Sequence, residues 1–149
     1  MKFKFSYQQL LEHRKRLEEM AHRDYLLVQK EVDVATLELE KMFQQIEDSR
    51  KRIGFLSAKG GHQVPSLVLM DDFINKQKIR IDIQRKKIRE LQFIAEEKQQ
   101  ALVIAAKEYK ILEKLREKRV IEFKELVKKR ELKFVDELVT MRFKRGENI

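Results

Sequence analysis

Apolar residues recur along the first third of the chain at Ala21, Tyr25, Val28, Val32, Ala35, Leu39, Met42 and Ile46, in alternating steps of four and three. Such spacing holds one apolar stripe on one side of a helix and, sustained over more than three heptads, predicts a coiled-coil seam. Leu10 and Leu17 join it upstream only through a four-four step at Leu17, Ala21 and Tyr25, a stutter that locally unwinds a supercoil. A second, longer seam runs through Leu67, Met70, Ile74, Gln77, Ile81, Gln84, Ile88, Leu91, Ala95, Lys98, Leu102, Ala105, Tyr109 and Leu112. Gln77, Gln84 and Lys98 are its polar positions, which lower stability but can fix register. Past Leu112 the frame slips through Arg116 to Val120, Phe123, Val127, Phe134, Leu138 and Met141, another stutter.

The seams predict one helix over about residues 5–54 and another over about 67–144, with a turn over about 55–66. Gly54 is placed to end the first helix in the left-handed conformation, and Ser66, just after Pro65, to cap the second. So short a connector forces the helices antiparallel. The expected fold is all-α, a long two-stranded antiparallel coiled-coil helical hairpin with an overhanging second helix, forming a single domain over residues 1–149. Pairing outward from the turn sets Ile46 near Ile74, Leu39 near Ile81, Val32 near Ile88 and Leu10 near Tyr109. The first helix is used up near residue 115, so roughly 30 residues of the second, ~40 Å, run on without it. Phe123, Val127, Phe134, Leu138, Met141 and Phe143 lie there. Large apolar side chains on a lone helix imply a partner, unless Phe3 and Phe5 fold back over part of the stripe or two copies pair through it.

Composition supports long helices and little else. Of 149 residues 40% are charged, with four Gly, one Pro and no Cys, too few breakers for a sheet or a many-turn bundle. Without cysteine there is no disulfide framework and no thiolate metal site, which is compatible with a reducing compartment. Met1 to Phe5 carries no apolar leader pattern, and the apolar runs fall far short of the ~20 residues a membrane span needs. A soluble intracellular protein is the expectation. The net charge of +9 is uneven: residues 114–145 hold 12 Lys or Arg against six Asp or Glu. That field attracts an acidic partner, with nucleic acid or a membrane surface as further candidates, although mixed Lys and Glu also make an ordinary solvated helix face.

Catalysis is not expected, because a two-stranded coiled coil offers no pocket that excludes water. His13, His22 and His62 fit no metal-ligand spacing, and no metal or cofactor is expected. Ala58-Lys59-Gly60-Gly61-His62 lacks the flanking spacing and the Lys-Ser/Thr of a phosphate-binding loop. Asp71-Asp72 and Glu96-Glu97 belong to helix surface, the former favouring the positive end of the second helix. Direct nucleic-acid binding is disfavoured too. Glu117, Glu122, Glu125, Glu131, Asp136 and Glu137 interrupt the basic stretch, and its Phe residues lie at packing spacing rather than as a stacking platform.

Both termini are similar to a known family. Met1-Lys2-Phe3-Lys4-Phe5-Ser6 followed by Leu10-Leu11 and Arg14 resembles the opening of the flagellar export protein FliJ. Glu113-Lys114-Leu115, then Lys133-Phe134-Val135-Asp136-Glu137-Leu138 and Arg142-Phe143, resemble its end. Tyr7 departs mildly, standing where Leu is more usual. The resemblance implies a non-enzymatic component of the flagellar type III export apparatus, similar to the central stalk of rotary ATPases. Its paired termini would insert in a hexameric export ATPase ring and promote ring assembly and ATP hydrolysis. It would also contact the cytoplasmic domain of the export-gate membrane protein and handle export chaperones, peripheral to the inner membrane at the flagellar base. The terminal signatures make Phe3, Phe5, Phe134, Asp136, Glu137, Leu138, Arg142 and Phe143 the candidate ring-binding residues. An aromatic-bearing stretch after the turn makes Phe73 and Gln77 candidates for the export-gate contact, Gln77 being also a plain polar seam position. A generic coiled-coil scaffold or dimerisation rod, and a basic nucleic-acid or membrane-surface binder, remain the alternatives.

Overall fold

The computed structural model describes residues 1–60 and 64–147, and these form two helices, α1 (Gln8–Ser57) and α2 (Val64–Glu147), with no strand among them. The fold is the all-α helical hairpin that the heptads imply. It divides into a turn-side unit, Met20–Leu102, and a terminal unit made of Met1–Glu19 and the second helix from Val103 on.

In the turn-side unit the seam is where the spacing puts it. Val32, Ala35 and Ile46 of α1 are buried, as are Ile74, Gln77, Ile81, Gln84, Ile88 and Ala95 of α2. Ile46, Ile74 and Ile81 form one cluster, joined by Leu39, Met42, Ile53 and Phe73. Two polar layers interrupt it. Gln77 Nε2 donates to Gln45 Oε1 (2.7 Å) and to the Met42 carbonyl (3.4 Å). Gln84 Nε2 donates to the Ala35 carbonyl (2.9 Å) and to Glu38 Oε2 (3.2 Å). Lys98, the third expected polar layer, is exposed instead, because its long stem carries the ammonium out to water.

The turn differs in detail from the expectation. Gly54 does not end α1; it lies within it, its carbonyl accepting the N–H of Ala58 at 3.3 Å. Ile53 and Leu56 extend the three-four seam past Gly54, and their packing outweighs the weak helix propensity of one glycine. The residue that leaves the helix is Gly60, whose φ of 100° suits a residue without Cβ. Ser66 lies inside α2 rather than capping it, since α2 starts at Val64 with Pro65 in its first turn, where a missing N–H costs nothing. The expected place of His62 lies outside the described residues.

In the terminal unit the covered positions of α1 are Leu11, 8% exposed, with half-buried Gln8, Arg14 and Glu18, while Leu10 and Leu17 are each 39% exposed. The stutter expected through Leu17 is therefore absent, and Leu11 takes the place expected for Leu10. Long polar stems serve as seam residues here, with Arg14 paired to Glu108 across the helices.

Residues 1–5 are not helical, although a helix was expected from about residue 5. Met1, Phe3 and Phe5 alternate with Lys2 and Lys4 before a turn at Ser6 and Tyr7, and in extended chain such alternate residues share one face. The segment lies as a strap on α2: the Phe3 ring packs against Phe123, tilted by 57° with centroids 5.6 Å apart, and Arg130 donates to the Met1 sulfur at 3.2 Å. Extended chain rises about twice as far per residue as helix, so five residues reach about 17 Å, the length of roughly eleven helical residues. For that reason the stretch with no covered residue begins at Lys128, not near residue 115, and continues through Gly146.

Candidate partner-binding site

The strap and the tail that follows it divide the candidate ring-binding residues in two. Phe5 is 9% exposed and meets Tyr7 edge-on, ring centroids 5.8 Å apart. Phe3 is half-buried between the Phe123 ring and the Arg116 guanidinium, which lies 5.7 Å from its centroid. Both side chains are engaged within the chain, as in the fold-back left open by the sequence. Val120, Phe123 and Val127, the proximal half of the α2 stripe, are correspondingly half-buried. The frame does slip between Leu112 and Val120, with Leu115 covered and Arg116 turned onto Phe3.

The distal half of the stripe is open. Phe134 is 62% exposed, Leu138 46% and Phe143 67%, and Leu132, Val135, Val139 and Met141 are exposed with them. At 100° per residue these seven occupy an arc of about 200° around the helix. Asp136 and Glu137 fall on the remaining face with Lys133, Thr140 and Lys144, and the Asp136 carbonyl accepts the Thr140 hydroxyl at 2.8 Å. Arg142 lies at the centre of the apolar arc, and Arg145 lies within it. The helix thus sets Leu138 and Arg142 well inside the arc and Phe134 and Phe143 near its two opposite edges, with Asp136 and Glu137 just outside it.

Phe73 is half-buried against the Ile46–Ile74–Ile81 cluster and borders two shallow grooves. Gln45, Asp48, Ser49 and Arg52 line one, and Ser66, Leu69 and Met70 the other. Gln77 is 2% exposed, its amide bonded inside the hairpin. Sequence reading missed Arg116, Arg130 and Arg145. The alternation of Met1, Phe3, Phe5 and Tyr7 signals the strap that Arg116 and Arg130 hold, and a helical projection of the tail signals Arg145.

Among the described residues no group of His, Asp and Glu could hold a metal ion, and no helix is long and apolar enough to cross a membrane. The family model described as flagellar FliJ protein matches residues 3–148. The chain belongs to the flagellar FliJ family. It is accordingly a component of flagellar protein export. Neither the comparison with curated proteins nor that with solved structures gave a match. In this FliJ-family chain the match takes in the strap from Phe3 and the tail through Phe143, the two segments whose residues carried the resemblance.

Proposed function

We propose that the chain is a non-catalytic stalk of the flagellar type III export apparatus. Its terminal unit enters a hexameric export ATPase ring and promotes ring assembly and ATP hydrolysis. The exposed apolar arc from Leu132 to Phe143 carries this reading: it is too wide for water and needs surrounding protein. A single helical tail in a six-fold ring cannot touch all subunits alike, so its contacts are asymmetric. The strap residues Phe3 and Phe5 act indirectly by holding α2 beyond the start of α1, and the tail makes the contact.

The turn-side unit serves the export gate in this reading, through Phe73 and its exposed neighbour Leu69, 71% exposed. Gln77 sets the seam behind them. Export chaperones are further partners, and the protein works at the cytoplasmic face of the inner membrane at the flagellar base.

The test is ATP hydrolysis by the flagellar export ATPase of the same organism, with and without this protein, beside size-exclusion analysis of ring formation. Stimulation with co-elution supports the stalk. No effect at micromolar excess removes it and favours a scaffold rod. Ile79, Ile83 and Phe93 favour that second reading: they are 63%, 65% and 63% exposed on the face of α2 opposite its seam. Concentration-dependent sedimentation lost on Ile83→Glu is its signature.

A further inference from the structure

The α2 tail combines an apolar arc with two guanidinium groups set inside it. Arg142 sits at the arc's centre, flanked on the helix surface by Leu138 and Val139, and Arg145 lies one turn on beside Met141. Of the acids of this stretch, Asp136 and Glu137 project off the arc, Glu131 lies on the arginines' side but three turns before Arg142, and among the described residues neither arginine forms an ion pair. Any surface that covers the apolar arc therefore also strips water from Arg142. A desolvated guanidinium is tolerated only with a hydrogen-bonded counter-charge, for which a carboxylate is the geometric match.

We infer that the tail docks on a protein surface that is apolar and places carboxylates opposite Arg142 and Arg145, so that the two arginines fix the tail's rotation about its axis. A lipid surface is the poorer match. Interfacial helices keep their basic residues on the polar face, whereas here Arg142 would enter the acyl region first. The inference rests on the reading that the tail enters the ATPase ring and adds the chemistry of the ring's inner surface. It also explains how an asymmetric stalk is oriented: apolar contact has no direction, but two bidentate pairs do.

The experiment titrates the full chain and three double variants against the export ATPase, reading the concentration for half-maximal stimulation at low and high KCl. The variants are Arg142→Gln with Arg145→Gln, Arg142→Lys with Arg145→Lys, and Arg142→Glu with Arg145→Glu, each checked for unchanged helicity. For the Gln pair the half-maximal concentration rises about tenfold or more and its salt dependence largely disappears. The Lys pair recovers part of the loss, because it keeps the charge but not the fork, and the Glu pair is the weakest. A Gln pair within about twofold of the parent, with the same salt dependence, overturns the inference and leaves the stalk standing. Failure of the parent chain to stimulate overturns the stalk reading itself. Sedimentation with phosphatidylglycerol vesicles is the remaining arm. Arginine-dependent binding there, with no arginine effect on the ATPase, assigns the tail to a membrane and overturns the protein docking site.

Discussion

Gln84 reaches across the hairpin to donate its side-chain amide to the backbone carbonyl of Ala35, 2.9 Å away. Ala35 is 2% exposed, the lowest value among the buried apolar residues, and beside its small side chain the Gln84 amide comes closer to the main chain than the Gln77 amide does at Met42, 3.4 Å. One heptad nearer the turn, Gln77 makes the same pair of contacts with Met42 and Gln45. Ala35→Leu puts bulk where the backbones approach and costs about 1–3 kcal/mol. Gln84→Leu orphans no buried donor, since Ala35 keeps its helical bond and Glu38 faces water, and shifts stability by less than about 1 kcal/mol. Urea unfolding followed by circular dichroism separates the two. Equal losses would mean that the glutamine layer, not close approach at Ala35, sets the energy.

Gly54 and Gly60 should respond to alanine in opposite directions. Nothing lies within 4 Å of a Cβ built at either residue, so backbone preference alone decides. Gly54 is helical, and Gly54→Ala stabilises by about 1 kcal/mol. Gly60 holds φ at 100°, and Gly60→Ala costs about 1 kcal/mol or more. Thermal melts at 222 nm check both, and a neutral Gly54→Ala would place the end of α1 before residue 54 in solution.

The strap should stabilise the terminal unit locally. Phe5 is 9% exposed, and Phe5→Ala removes about 2–3 kcal/mol of buried aromatic contact. Phe3 is half-exposed and packs tilted against Phe123, and Phe3→Ala removes about 1 kcal/mol. Amide hydrogen exchange should show faster opening of α2 between Leu112 and Val127 in both variants, with residues 32–95 unchanged. Uniform loss across both regions would mean that the strap acts on the whole hairpin.

How much of this the sequence carries depends on the residue type at each position. From Ala21 to Ala95 the seam is legible because apolar side chains fall at nearly every step, with half-buried Ser49 and the buried glutamines as exceptions. At Arg14 and Glu18 the same seam continues through side chains whose stems pack and whose charges do not, so a hydrophobic pattern skips them for Leu17. The strap is written openly in Met1, Phe3, Phe5 and Tyr7. Its period of two spans too few residues to compete with the helical pattern that follows. Gly54 and Gly60 are both plausible helix ends by composition, and only the continued packing of Ile53 and Leu56 decides between them. For the candidate site, the terminal signatures supply the aromatic residues of the tail. They do not reveal that Phe3 and Phe5 are covered, because the cover is a long-range contact.

Arg14 and Glu108 form the one cross-helix ion pair found among the described residues, with side chains 31% and 46% exposed. At that exposure solvent screens most of the attraction. A double-mutant cycle with Arg14→Gln and Glu108→Gln should give a coupling of about 0.3–1 kcal/mol at low salt, falling towards zero in 1 M salt. A coupling that survives high salt would mean that the pair is more deeply desolvated in solution.

Phe143 and Phe73 give the sharpest separation of function. Phe143 is 67% exposed on the tail, whereas Phe73 is half-buried in the turn-side unit. Loss of an exposed aromatic anchor at a protein interface typically weakens binding by about 2 kcal/mol, roughly 30-fold. Phe143→Ala should therefore raise the concentration needed to stimulate the export ATPase by about that factor, with retention on the export-gate cytoplasmic domain unchanged. Phe73→Leu keeps apolar volume against Ile46, Ile74 and Ile81 while removing the ring. It should weaken retention on the gate domain and leave ATPase stimulation as it was. The same loss of both activities in both variants, at unchanged helicity, would show that one surface serves both partners and would end the assignment of separate contacts to the two units.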